Sequence, residues 1–214
     1  GLSDRVTSTA DLMKRDQLTQ LKIKILALKH ESYKFANYQD EMEYIVTHGK
    51  RNTFIKNLVS DLKGNTLVLF NYVEKHGEPL FDLINNSIGD TKKVFFVHGG
   101  VEASEREEIR RLAEVNDNCV IIASYGTFST GINIKNLHNI IFASPSKSRI
   151  RNLQSIGRVL RKGDNKAQAV LYDIADDFSR GSYINYTLNH LKERIKVYNE
   201  EQFNYEIIPV NIKK

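Results

Sequence analysis

The residues best suited to chemistry lie in one stretch, Ser148 to Lys162, SRIRNLQSIGRVLRK. Within it runs Gln154-x-x-Gly157-Arg158-x-x-Arg161. Wound as a helix at about 100° per residue, Gln154, Arg158 and Arg161 fall on one line with Arg151 close by, inside roughly 80° of arc. Leu153, Ile156, Val159 and Leu160 take the opposite side. One face is therefore apolar, and the other presents an amide and three guanidiniums. Two readings are open. Many basic helix faces are only solvated. The alternative is a phosphate site, because guanidiniums are planar, permanently charged and shaped for bidentate contact with phosphate oxygens. Gly157 in mid-helix costs about 1 kcal/mol relative to Ala, which points to close approach by a ligand. The arginines also have no acid four positions away to neutralise them.

Charge is focused in the same place. The 214 residues carry 31 Lys and Arg against 26 Asp and Glu, a net charge of +5. Between Pro145 and Lys166 seven basic residues face the single acid Asp164, a local excess of six. The rest of the chain is thus nearly neutral, and the patch implies a polyanionic partner, nucleotide or nucleic acid. With 41% apolar and 27% charged residues the chain reads as globular rather than disordered. No apolar run approaches the roughly 18 residues of a membrane span, and no basic-then-apolar start marks a signal peptide. The single Cys119 sits in an apolar run, excludes an internal disulfide and reads as a core thiol. These features describe a reducing, cytoplasmic setting. The first residue is Gly1 rather than Met, as expected of a fragment or a trimmed chain.

Elements must position this stretch. Leu21–Ile25 alternates apolar and basic residues and predicts a strand, at an edge where lysines discourage further pairing. Residues 31–49 predict a loop with at most one helical turn. Asp40-Glu41-Met42-Glu43 is similar to an acidic magnesium box, but no apolar strand leads into it. Phe54, Ile55, Leu58, Val59 and Leu62 share a helical face that Gly64 terminates. Short apolar runs at Leu67–Phe70, Val94–Val97, Cys119–Ala123, Asn139–Ala143 and Ala169–Ile174 predict buried strands. Pro79 opens one intervening helix, and Ser104-x-x-Glu107 predicts a capping box on another. After Gly181 a last helix carries Ile184, Leu188, Leu191, Ile195 and Tyr198, and Tyr205–Ile212 predicts a short edge strand or a partner contact.

This alternation argues an α/β fold with a parallel sheet and right-handed crossovers. Ligands then gather at the carboxyl ends of the strands, where Asn71, His98, Ser124 to Thr127 and Ser144 stand. Ser124-Tyr-Gly-Thr-Phe-Ser-Thr-Gly131-Ile-Asn133 follows a buried strand with hydroxyls and glycines, and is either an ordinary loop or a phosphate-holding turn. Asp173, Asp176 and Asp177 predict a strand ending in solvent in preference to a metal set. The histidines show no ligand spacing. The chain has no G-x-x-x-x-G-K-[ST]. Arginines acting in phosphoryl transfer here would act on a nucleotide held elsewhere.

Four stretches in order carry a family resemblance. Gln154-x-x-Gly157-Arg158-x-x-Arg161 resembles motif VI of superfamily 2 helicases, Ser124 to Asn133 with the strand after it resembles motif V, and Leu67–Asn71 resembles motif IV. His98-Gly99 followed by Glu105-Arg106-Glu107 is similar to the strand-turn-helix between motifs IV and V. The resemblance implies a RecA-like parallel sheet with helices on both faces, lacking its own P-loop, plus a C-terminal helical extension. It implies residues 1–30 as a segment connecting from a missing first lobe, 31–180 as the C-terminal lobe, and 181–214 as helix and tail. ATP and Mg would be held mainly by that first lobe. Arg161 would be the arginine finger, Arg158 its partner on the phosphates and Gln154 the γ-phosphate sensor, with Gly131, Asn133 and Gly157 at the nucleotide. Ser124, Thr127, Asn71, His98 and Arg151 would face DNA. The implied function is the motor lobe of an ATP-dependent DNA helicase or translocase acting on branched DNA, with DNA and the first lobe as partners. The alternatives are a non-catalytic nucleic-acid-binding module, or the motor lobe of a restriction translocase or excision-repair helicase.

Overall fold

A computed structural model describes residues 21–129, 134, 136–145 and 169–213. Seven strands form a single sheet: β1 Leu21–Lys29, β2 Thr66–Phe70, β3 Lys93–Val97, β4 Cys119–Ser124, β5 Asn139–Phe142, β6 Ala169–Asp177 and β7 Asn204–Asn211. Their order is β3-β4-β2-β5-β6-β1-β7, and every pair is parallel. Among the described residues the α-helices are α1 Tyr38–Val46, α2 Gly49–Asp61, α3 Glu78–Ile88, α4 Ala103–Val115, the short α5 Tyr125–Ser129 and α6 Tyr186–Glu200, with a π-helical turn at Val73–Gly77 leading into α3.

Period-two alternation divides each strand between two cores. In β4, Cys119, Ile121 and Ala123 pack with Ile109 and Ala113 of α4 and with Leu191 and Tyr198 of α6. Val120 and Ile122 of the same strand pack with Ile55 and Val59 of α2 and with Leu80, Ile84 and Ile88 of α3. Helices therefore cover both faces, which is why the central strands are apolar on both sides. The Cys119 thiol is buried, and burial pushes its pKa up to about 11, so it is an inert core group. Gly64 leaves α2 at φ 87°, and a Cβ there would lie 2.6 Å from the His138 ring.

Several expectations change. β1 is not an edge strand: β7 pairs along it from Lys22 to Lys29 and takes the edge itself. The lysines do not block this pairing, because Lys22 meets Glu206 across the strands at 3.6 Å and Lys24 lies 5.9 Å from the Tyr172 ring centre. Pro209 is tolerated on that outer strand, where a missing N–H costs no ladder bond. Residues from all three segments expected along the chain thus share one sheet.

Residues 38–46 form a true helix rather than a loop. Asn37 caps it by accepting the Asp40 N–H at 2.8 Å, and Glu41, Met42, Ile45 and Val46 form its buried stripe. The charged Glu41 within that stripe broke the apolar periodicity that would have marked it. The tetrad Asp40–Glu43 is no metal box. Glu41 is fully buried and accepts the Tyr186 and Thr187 amides at 3.0 and 2.7 Å, so its carboxylate holds the N-terminus of α6. The capping box on α4 is also absent. Glu102 occupies the cap position and Ser104 lies inside the helix. Glu107 bonds Arg110 instead, a charge-assisted pair that outcompetes a backbone amide.

Candidate functional site

The carboxyl edge of the sheet collects the expected nucleic-acid residues that the structure describes. In register, Phe70 of β2 pairs with Ser124 of β4, and Val97 of β3 pairs with Ala123. Asn71, His98 and Ser124 therefore stand at nearly one level on three adjacent strands. Asn71 is exposed and His98 half-buried. The His98 Nδ1 accepts the Gly100 N–H at 3.1 Å, and its ring tilts against Phe96 with centroids 5.1 Å apart. The Ser124 Oγ accepts the Thr127 N–H at 3.2 Å and lies 2.7 Å from the Thr127 Oγ1, so the two hydroxyls shape the start of α5. Arg151, Gln154, Gly157, Arg158 and Arg161, with Gly131 and Asn133, lie outside the described residues.

Behind this edge runs a buried polar chain whose donors can be assigned. Asn52 gives its amide N–H to Val46 O at 3.2 Å, so its Oδ1 faces His76 Nε2 at 3.1 Å and accepts from it. The other nitrogen, Nδ1, is then an acceptor and takes the Ser144 hydroxyl at 2.5 Å. Ser144 Oγ in turn accepts the Asn71 N–H at 3.1 Å. The Ser144 carbonyl takes the Tyr125 hydroxyl at 2.9 Å. The end of β2, the end of β5 and the start of α5 are thus tied to one neutral imidazole. Burial, with the Arg51 charge adding to it, lowers the His76 pKa to about 3.

The neighbouring group is ionic. Arg51 is fully buried and pairs with Asp176 through Nε at 2.8 Å and Nη2 at 3.0 Å, while its Nη1 donates to Ala143 O at 2.6 Å. His30 Nε2 meets the same carboxylate at 2.8 Å and stacks on Phe178 at 4.0 Å. Burial alone would push the Asp176 carboxyl up. The Arg51 charge and the His30 hydrogen bond outweigh it and hold the group well below the usual carboxylate range. Asp173 is likewise buried, bonded by Arg194 at 2.8 and 2.9 Å and by the Tyr198 hydroxyl at 2.6 Å. These two acids do not end a strand in solvent; each neutralises a guanidinium inside the fold. Asp177 is half-buried and pairs with Lys29 at 3.4 Å. Among the described residues no group of three or more acids, histidines or cysteines is placed to hold a metal.

Arg51 and His76 were not singled out in the sequence, and Asp176 was expected at a strand end in solvent. One signal was available: Arg51 precedes Ile55 and Val59 at steps of four, so it shares their buried stripe.

The His76 chain carries a pH prediction. The unfolded imidazole takes up a proton below its ordinary 6.5, whereas the folded one resists until about 3. Its contribution is therefore complete above pH 6.5 and is lost as pH falls through that window. Between pH 6.5 and about pH 5 the loss amounts to about 2 kcal/mol. Urea midpoints measured across that range should show it, and His76→Gln should flatten the slope. His48, also lowered by burial and by His30, leaves a smaller residual slope.

Comparison with known proteins identifies the family. The profile of the helicase conserved C-terminal domain matches residues 49–163. The chain belongs to that family. It is 38% identical over 223 residues to the ATP-dependent DNA helicase uvsW of Enterobacteria phage T4, covering 96% of this chain and 44% of that protein. It is 25% identical over 179 residues to the putative ATP-dependent RNA helicase L396 of Acanthamoeba polyphaga mimivirus, covering 74% and 33%. The chain thus spans less than half the length of these relatives. The crystal structure of T4 UvsW superposes with a TM-score of 0.77 at 38% identity, over 89% of this chain and 42% of that one. The C-terminal domain of the DEAD-box protein Dbp5 shares the fold at 12% identity and a TM-score of 0.56, over 91% and 92%. The described sheet is accordingly that of a helicase C-terminal lobe, RecA-like, with β7 as its edge strand. The profile spans Asn71, His98 and Ser124 as well as Gln154 to Arg161. No helix among the described residues is long and apolar enough to cross a membrane.

Proposed function

We propose that the chain is the arginine-bearing motor lobe of an ATP-dependent DNA helicase or branch-migrating translocase. The observation that carries this is a mismatch of parts. The chain has the arginine stretch Arg158–Arg161 of a helicase C-terminal lobe but no P-loop. Guanidiniums suit the phosphates of ATP, whereas the described residues offer no acidic cluster for Mg. ATP and Mg would then sit mainly on a first lobe, with residues 1–30 leading from it, 31–180 forming this lobe and 181–214 its extension. Arg161 acts as the arginine finger, Arg158 beside it on the phosphates, Gln154 reads the γ-phosphate, and Gly131, Asn133 and Gly157 line the nucleotide. Asn71, His98, Ser124, Thr127 and Arg151 grip the DNA backbone. The likeness to the DNA helicase uvsW supports DNA, branched or single-stranded, as the track. Closing of two lobes on ATP and reopening after hydrolysis would move the strand.

The experiment compares ATP hydrolysis, with and without DNA, by this chain alone and by the protein that carries a first lobe. The chain alone should show none, and the two-lobed protein should show DNA-stimulated turnover. Hydrolysis by the pure chain would overturn the division of labour. The local excess of six positive charges at Pro145–Lys166 favours a second reading, a nucleic-acid-binding module without catalysis. That module would bind DNA tightly by itself, with affinity falling steeply with salt and largely lost in Arg158→Ala. A motor lobe binds weakly until the first lobe is supplied.

A further inference from the structure

A second site lies on the same edge of the sheet, and the helicase reading does not use it. Past the ends of β1 and β6, a cavity of about 480 Å³ is lined by Glu31, Tyr33, Phe35, Asp40, Tyr44 and Phe178 among others. Phe178 and Phe35 form its floor, 1% and 7% exposed, with rings packed edge-on at 5.0 Å. Tyr33 and Tyr44 stand above them, 61% and 47% exposed, their rings 4.7 and 5.5 Å from Phe35. Asp40 and Tyr44 are four residues apart on α1, so they share a helix face. Among the described residues, neither the Glu31 nor the Asp40 carboxylate takes a hydrogen bond or an ion pair. Among the described residues no lysine or arginine lines the cavity, and Lys50 and Lys213 line the adjoining one with Glu31 and Tyr44. Lys34, the nearest in sequence, lies over the Tyr183 ring at 5.7 Å.

Two exposed tyrosine rings over a buried phenylalanine floor, with two uncommitted carboxylates, make this cavity negative on a chain of net charge +5. A phosphate would be repelled there. A neutral apolar ligand would cover the carboxylates without pairing them, at a desolvation cost. A flat organic cation satisfies both components, stacking on a ring and donating to a carboxylate. We infer that this cavity is a recognition site for a basic side chain, an arginine above all, presented by a protein partner. The volume is in the range of ligand pockets and takes a side chain with its flanking backbone. The inference stands apart from the ATP reading, because none of these residues belongs to the motifs that carry it.

The test titrates the full chain, followed by tyrosine side-chain NMR, with four probes: the capped peptide Gly-Arg-Gly, its citrulline counterpart, spermidine and an oligo-dT octamer. The arginine peptide should shift Tyr33 and Tyr44 saturably, and the citrulline peptide, neutral but of the same shape, should bind at least tenfold more weakly. Asp40→Asn with Glu31→Gln should weaken the arginine peptide at least tenfold. Tyr44→Phe, which keeps the ring, should not. Equal binding of the citrulline peptide, or binding of oligo-dT at these tyrosines, overturns the cation assignment in favour of an apolar or base-stacking site. Spermidine binding without the arginine peptide overturns the protein partner. No shift by any probe, with the fold intact, overturns the site altogether.

Discussion

In the two-lobed protein, Arg161→Ala should reduce DNA-stimulated ATP turnover by about 10³-fold or more while leaving most DNA binding in place. The expectation rests on what an arginine does in phosphoryl transfer. Charge builds on the transferred phosphoryl group in the transition state, and a guanidinium aimed there stabilises that state more than bound ATP. Arg158→Ala should also lose turnover, with a larger rise in the KM for ATP, since its role on the phosphates begins in the ground state. Arg161→Lys should fail to restore the rate, because an ammonium lacks the planar fork. Steady-state hydrolysis with saturating DNA, beside a binding isotherm at fixed salt, separates the two effects. Near-normal turnover in Arg161→Ala would remove the finger from this position.

The second large effect is on stability. Asp176→Ala should cost about 3–5 kcal/mol, because it leaves the Arg51 guanidinium buried without its counter-charge. Replacing both partners, Arg51→Met with Asp176→Leu, should recover much of that loss, since no orphaned charge remains inside. The exposed Arg111–Glu108 pair on α4 should behave differently, its removal leaving the urea midpoint essentially unchanged because solvent screens the charges. Urea unfolding of the three variants reads the contrast directly. Acid adds a sign check. Because the folded Asp176 is held well below its ordinary 3.8, its contribution is present above that value and is lost only as pH falls through the depressed folded pKa. Its loss therefore begins only near pH 3.8, below the pH 6.5–5 range in which the His76 slope is read and overlapping only the acid end of the His76 window.

The buried strands were legible because a strand covered on both faces must be apolar throughout, as Leu67–Phe70 and Asn139–Phe142 are. The stripe of α2 and its termination before Gly64 were legible because they are local, set within a few residues. The helix α1 was not, since its buried stripe includes Glu41, whose partners are the amides at the start of α6 some 145 residues away. The three carboxyl-edge residues Asn71, His98 and Ser124 were found by type and strand position. Their common level follows only from the register of β2, β3 and β4.

By itself, the sequence determined the succession of buried strands, the basic excess at Pro145–Lys166, the lack of a G-x-x-x-x-G-K-[ST] stretch and the family. All are properties of neighbours along the chain. The tertiary structure alone decided that β1 lies between β6 and β7, that Asp173 and Asp176 are buried counter-charges, and that His76 must stay neutral to join β2 to β5. It also decided that rings and acids after β1 meet Phe178 in one cavity. The physical reason is common to these cases. A charged or polar side chain has no intrinsic place inside or outside, and its burial becomes tolerable only through a partner that folding brings from far away, as Asp176 meets Arg51 across 125 residues.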